Sequence, residues 1–214
     1  MAAAGTSIPP SVDPNRTAVI VVDVQPFFTD QELVPPAGEV LPRLRAFLDE
    51  ARDAGVLRVF IRAEFPKERW TAVWREQYGP NLEQVVAPGS PRMQFHRDFE
   101  PELGDLVVVK DRYSSFFGTD LESLLRVRGI DTVVVAGLVT DLCVSSTARD
   151  AFQHDFHTIT LADCTATGSL ARHEASLETL AVGFGRVCSS ADVARAWKAQ
   201  AVPERGDAVA ARSS

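Results

Sequence analysis

The stretch LVVVKDRYSSFFGTDLESLLRVRGIDTVVVA, residues 106–136, holds one complete repeat of the fold. Residues 106–109 are a short β-branched run that ends at Lys110, and residues 132–136 are a second. Continuous apolar runs of this length are what strands covered on both faces look like. Between the runs, Thr119 and Glu122 have the spacing of a capping box before LESLLRVR, and Gly129 follows as a helix stop. Strand, helix and strand in this order predict two parallel strands joined by a right-handed crossover.

The same alternation extends both ways. Upstream, residues 17–22 (TAVIVV) end at Asp23 and residues 56–61 (VLRVFI) form another run. Downstream, residues 158–162 (TITLA) end at Asp163, and 185–188 are a weak sixth run. Helical periodicity appears at 39–54, where Val40, Leu41, Leu44, Phe47 and Leu48 share a face, and again at 141–154, 169–182 and 189–198. These patterns predict an α/β fold with helices on both faces of a parallel sheet. The segment 62–104 breaks the alternation. It carries Trp70, Trp74, Tyr78 and several prolines, and an insertion this long at a strand end points to a functional loop.

The chain has 214 residues, which suits one α/β domain. Residues 1–16 read as a flexible N-terminal arm without an export signal, 17–200 as the domain, and 201–214 as a flexible C-terminal tail. Net charge is -7 and there is no basic stripe, so nucleic acid is not an expected partner. No apolar run reaches membrane-spanning length, so no membrane partner is expected either. Three cysteines at wide spacing argue against a disulfide framework and for reduced thiols in the cytoplasm. The aromatics of the long insertion predict a homo-oligomer, dimer or tetramer, with part of 62–104 at the interface.

Ligands of open parallel sheets bind beyond the carboxyl ends of the strands. Asp23, Lys110 and Cys143 lie at or just past such ends. Cys143 falls in the first turn of a helix if Thr140 or Asp141 is its N-cap, where the helix end and the Lys110 ammonium would both favour a thiolate. Asp23 can accept the thiol proton and later deliver it to a leaving amine. Each residue taken alone also has a structural reading: a buried small residue, a turn former and a solvated cation. Cys164 and Cys188 read as inert core thiols.

Several motifs are recognisable. VVDVQPFF at 21–28 carries an Asp-x-Gln-x-x-Phe pattern. Residues 108–152 run Lys, Ser-x-Phe-x-Gly-Thr, then Gly-x-x-Thr-Asp-x-Cys-Val-x-x-Thr, and LADCTAT is followed by RHEASLETL. Together they resemble the signatures of the isochorismatase-like cysteine hydrolase superfamily over about residues 17 to 190. The resemblance implies a three-layer α/β/α sandwich with a mainly parallel, six-stranded, Rossmann-like sheet. It implies a catalytic triad of Asp23, Lys110 and Cys143. It also implies a non-proline cis peptide between Leu138 and Val139, with the Val139 and Cys143 N–H groups converging as an oxyanion hole and Gly137 relieving crowding at the bend.

Nicotinamidases, one branch of that superfamily, hold a metal through Asp-x-His after the second strand. Here that stretch reads IRAEFPKERW, without histidine, and Glu64 with His96 makes a poor pair. His154 and His157 follow a helix and His173 sits within one. The reading therefore includes no metal and no cofactor. Retention of the cysteine favours hydrolysis of a C–N bond in a small amide, ureide or N-carbamoyl substrate. The alternatives are a vinyl ether hydrolase of the isochorismatase type, with Asp23 as general acid, and a catalytically silent binding protein on the same scaffold. Phe28, Arg62, Trp70, Trp74, Arg112, Tyr113 and Phe117 are the candidate substrate-binding residues. Aromatic faces would sandwich a planar group and an arginine would hold a carboxylate.

Overall fold

The computed structural model describes residues 12–79, 82 and 85–201. Six strands form one sheet: β1 (Thr17–Val22), β2 (Leu57–Ala63), β3 (Leu106–Lys110), β4 (Thr132–Leu138), β5 (His157–Ala166) and β6 (Arg186–Cys188). Their order is β3-β2-β1-β4-β5-β6 and every pairing is parallel. The chain runs outward to one edge, returns to the centre and runs outward again. The order reverses between β1 and β4, and a crevice opens at such a switch point beyond the strand ends.

The helices among the described residues are α1 (Pro26–Thr29), α2 (Ala37–Asp53), α3 (Ala72–Tyr78), α4 (Leu121–Arg126), α5 (Ser145–Gln153), α6 (Leu170–Gly183) and α7 (Ser190–Ala201). Alternate strand residues point to opposite faces. Val19, Val21, Val134 and Ala136 pack with Leu44, Phe47 and Leu48 of α2 and with Val193 and Trp197 of α7. Ala18, Ile20, Val133 and Val135 pack on the other face with Leu121 and Leu125 of α4, Ala148 and Ala151 of α5 and Leu180 of α6. That is the three-layer α/β/α sandwich, and it explains why β1 and β4 read as unbroken apolar runs: both faces are buried.

Four local expectations are corrected. The arm predicted over 1–16 is ordered at its far end, where Val12 is buried in the core and Asp13 caps the 3-10 turn Pro14–Arg16. Residues 1–11 and the tail 202–214 lie outside the described residues. The predicted capping box is absent: Asp120 stands at the N-cap of α4 without a side-chain cap, the Thr119 hydroxyl accepts the Leu121 N–H, and Glu122 turns towards His154. The helix predicted from 141 begins as a π-helical turn, Thr140–Val144, which passes into α5. Strand β5 also runs on to Ala166 past an irregularity opposite Gly137.

Candidate active site

Asp23 is the first residue beyond β1 and has a left-handed backbone, φ 50°. Its N–H still donates to the Ile61 carbonyl of β2, and its own carbonyl accepts the Gln25 N–H. Gln25 is fully buried. Its amide clamps the end of β2 by accepting the Ala63 N–H at 2.9 Å, and it donates to the Ala63 and Met93 carbonyls. Lys110 ends β3 and reaches across the end of β2, where its Nζ lies 2.7 Å from Asp23 Oδ2. The ammonium also donates to the Arg112 carbonyl at 3.0 Å. Both side chains are inaccessible to solvent.

Cys143 enters this pair from the π-helical turn after β4. The bond between Leu138 and Val139 is cis, and the Val139 carbonyl accepts the N–H groups of Leu142 and Val144. Gly137 lets β4 approach β1 before the turn. Its φ is 112°, and a Cβ there would stand 2.1 Å from the Val22 carbonyl oxygen. The turn is pinned from outside. Thr140 Oγ1 meets His173 Nδ1 of α6 at 2.9 Å, and Arg172 bridges Asp141 at 2.9 Å. Ser115 binds Thr147 through its N–H and its hydroxyl, both at 3.0 Å, which ties the loop after β3 to α5.

The electrostatics follow from burial. Burial pushes the Cys143 thiol up to about 12; the Lys110 ammonium pulls it down, while Asp23 pushes it further up. The expected activation of a free thiolate is thus reversed in the empty site: desolvation outweighs the cation. Burial raises Asp23 as well, against the pull of Lys110 and the nearby thiol. Burial would lower Lys110, but attraction to Asp23 and Cys143 together leaves it above its ordinary value. The partners of the Asp23 carboxylate include the Lys110 ammonium at 2.7 Å and the Cys143 thiol. The carboxylate therefore keeps the capacity to take a proton from the thiol beside it.

Above Cys143 lies a cavity of about 280 Å³. The insertion supplies Phe65, Trp70, Trp74, Tyr78, Leu82 and Val86 to its wall, and α1 supplies Phe27 and Phe28. Gln31, Tyr113, Val139 and Leu142 complete the lining among the described residues. Of the predicted binding residues, Phe28, Trp70, Trp74 and Tyr113 thus line the cavity beside Cys143. Arg62, Arg112 and Phe117 do not line this cavity. Arg62 turns away to Glu64 at 3.3 Å, Gln94 at 3.2 Å and the Phe95 ring. Arg112 lies over the Trp74 ring at 5.1 Å, and Phe117 shares a shallow outer groove with it.

Glu64 and His96 are likewise apart in role, for His96 stands beside Asp98. Among the described residues, no group of three or more His, Cys, Asp or Glu side chains is arranged to hold a metal ion. Cys164 and Cys188 are buried free thiols, both raised chiefly by burial. The sequence reading did not assign Gln25 or His173 a role. A glutamine inside an apolar strand-end motif was the available signal for the first. The second depends on a contact 33 residues away.

Comparison with known proteins identifies the family. Residues 17–192 match the Isochorismatase domain. The ureidoacrylate amidohydrolase RutB of Methylobacterium radiotolerans is 34% identical, over 94% of this chain and 85% of that one. Among solved structures, a cysteine hydrolase from Pseudomonas syringae pv. phaseolicola superposes with a TM-score of 0.79 at 31% identity, covering 88% of this chain and 95% of that one. N-carbamoylsarcosine amidase from Thermoplasma acidophilum superposes with a TM-score of 0.68 at 26% identity, covering 82% and 96%. The chain belongs to the isochorismatase family.

Proposed function

We propose that the protein is an amidohydrolase that cleaves a C–N bond of a small amide, ureide or N-carbamoyl compound through a Cys143 acyl-enzyme. The observation that carries this reading is one buried cluster. A thiol, a carboxylate and an ammonium meet at the floor of a cavity, with Lys110 2.7 Å from Asp23. The names of its relatives, an amidohydrolase and an amidase, support the same bond class.

The steps balance without another reagent. The thiol proton passes to Asp23 as Sγ attacks the carbonyl carbon, because a thiol raised by burial is not free to ionise first. The Val139 and Cys143 N–H groups receive the oxyanion. Asp23 gives the proton to the nitrogen as the C–N bond breaks, which releases the amine or ammonia and leaves a thioester. Water then attacks the thioester, its proton passes to Asp23, and Asp23 returns it to Sγ as the acid departs. Lys110 favours the charged form of Asp23 before each proton uptake and holds it in position. With Cys143, Cys164 and Cys188 all free, a reducing compartment such as the cytoplasm fits this chemistry.

The test is ammonia release from a panel of amides, ureides and N-carbamoyl acids, with wild-type protein and Cys143→Ala. The expected result is release by the wild type that the variant loses. Absence of release across the panel, or an active variant, would overturn the reading and favour a binding protein on the same scaffold.

A further inference from the structure

The described lining of the cavity contains no charged side chain. Its polar groups are Gln31, Tyr78 and Tyr113, and all three are neutral. Burial, with Cys143 next, raises the Tyr78 phenol and keeps it a neutral donor. The two arginines nearest in sequence to the strand ends are committed elsewhere, Arg62 to Glu64 and Gln94, Arg112 to the Trp74 face and the Asp111 and Arg69 carbonyls. Lys110 is held by Asp23 beneath the nucleophile. The four residues around Leu82 outside the described set are Pro80, Asn81, Glu83 and Gln84, which include no Lys or Arg. Arg92 stands outside the lining, 5.7 Å from the Phe27 ring and 3.7 Å from Asp30. A substrate carboxylate would therefore meet no cation among the described lining residues, and an unpaired buried charge is disfavoured by far more than a methyl group.

The rest of the wall favours apolar matter. Phe65, Trp70, Trp74 and Tyr78 pack as successive ring pairs, with Phe65 to Trp74 at 5.4 Å and Trp74 to Tyr78 at 5.3 Å. No acidic side chain is among the described lining residues to favour a cation. A volume of about 280 Å³ exceeds the roughly 150 Å³ that accepts a benzene ring. From this geometry we infer that the substrate is an uncharged amide or ureide whose acyl part is an aryl group or an alkyl chain of about six carbons, and not the monoamide or N-carbamoyl derivative of an acid that keeps its carboxylate. This inference rests on the hydrolase reading above for the bond, and on the cavity alone for the acyl group.

The experiment separates the two. Cys143→Ala protein is titrated with hexanamide, with adipamate, the monoamide of a six-carbon diacid, and with 4-(trimethylammonio)butanamide, and the fluorescence of Trp70 and Trp74 reports binding. Hexanamide is expected to bind at least about tenfold more tightly than either charged amide. Across acetamide, butanamide and hexanamide, affinity is expected to rise by up to about fourfold per methylene. A Gln31→Arg substitution at the rim is expected to tighten adipamate at least about fivefold relative to hexanamide. Equal or tighter binding of either charged amide to the parent site, a flat alkyl series, or no gain from the new arginine would overturn the inference. Ammonia release from the neutral amides by the wild type is scored separately. If hexanamide binds but is not hydrolysed, the cavity assignment stands and the hydrolase reading falls.

Discussion

At the scale of single residues, the proposed chemistry moves one proton between Cys143 and Asp23 beside the Lys110 ammonium. Asp23 must be charged to receive the thiol proton, and burial raises it above the usual carboxylate range. The acid limb of the kcat/KM profile should therefore fall at a higher pH than an ordinary carboxylate would give, because activity is lost as Asp23 takes up a proton. Asp23→Asn should lower kcat/KM by about a hundredfold or more and remove that limb. A wild-type profile flat down to the ordinary carboxylate range would contradict this assignment. Lys110 acts on the thiol in the opposite sense to burial, since its charge pulls the Cys143 value down. Lys110→Ala should shift the iodoacetamide rate profile of Cys143 to still higher pH. It should also cost about 3–5 kcal/mol of stability, because Asp23 is left buried without its partner. Lys110→Arg should recover part of the shift and little turnover, since a planar guanidinium cannot occupy the point where Nζ sits. An unchanged alkylation profile in Lys110→Ala would limit the lysine to holding Asp23 in place. The three residues were legible in the sequence because each ends or follows an apolar run. The raised thiol was not, because strand ends say nothing about how deeply the loops above will bury them.

At the scale of elements, the site depends on how closely β4 passes β1. Gly137 faces the Val22 backbone, and its positive φ is one that other residues rarely adopt. Gly137→Ala should destabilise the protein by more than about 4 kcal/mol, through both the clash and the strained backbone. Urea unfolding, or the yield of soluble protein, measures this. A loss under about 1 kcal/mol would mean that β4 can retreat without harm. The strands were readable from sequence where both faces are buried, as in TAVIVV and TVVVA. The extension of β5 through Asp163, Cys164 and Thr165 was not, because a polar run after an apolar one reads as a loop and its pairing with β4 resumes only past an irregularity. The π-helical turn was hidden for a similar reason. Apolar spacing cannot separate it from an α-helix, and the contact between Thr140 and His173 that pins it comes from α6. Arg62 offered a signal that periodicity could have used, for Glu64 is two residues on and shares its face near the end of β2.

At the scale of the molecule, the large aromatics of the insertion pack against one another within the chain, Trp70 buried at 5% exposure and Trp74 and Tyr78 partly buried. Open apolar surface remains on the insertion, at Val73 and Leu103, and also on the edge strand β3, where Val107 and Val109 are both nearly half exposed. An edge strand with an open apolar face is a site for self-association. A homo-oligomer is expected, with β3 as a second candidate surface beside the insertion. Sedimentation at micromolar concentration should give a mass at least twice 23.3 kDa, and Val107→Lys with Val109→Lys should reduce it to that value. A monomeric wild type would end this expectation without touching the chemistry, since every residue of the proposed triad comes from one chain.

The central claim is that Cys143 forms a covalent acyl intermediate from a neutral amide. Rapid quenching of the wild-type protein with 3-phenylpropionamide, followed by mass spectrometry of the peptide that contains Cys143, tests it directly. A phenylpropionyl adduct is expected on that peptide, removable by hydroxylamine and absent in Cys143→Ala. Ammonia release that proceeds without an adduct on Cys143, and that persists in Cys143→Ala, would contradict it.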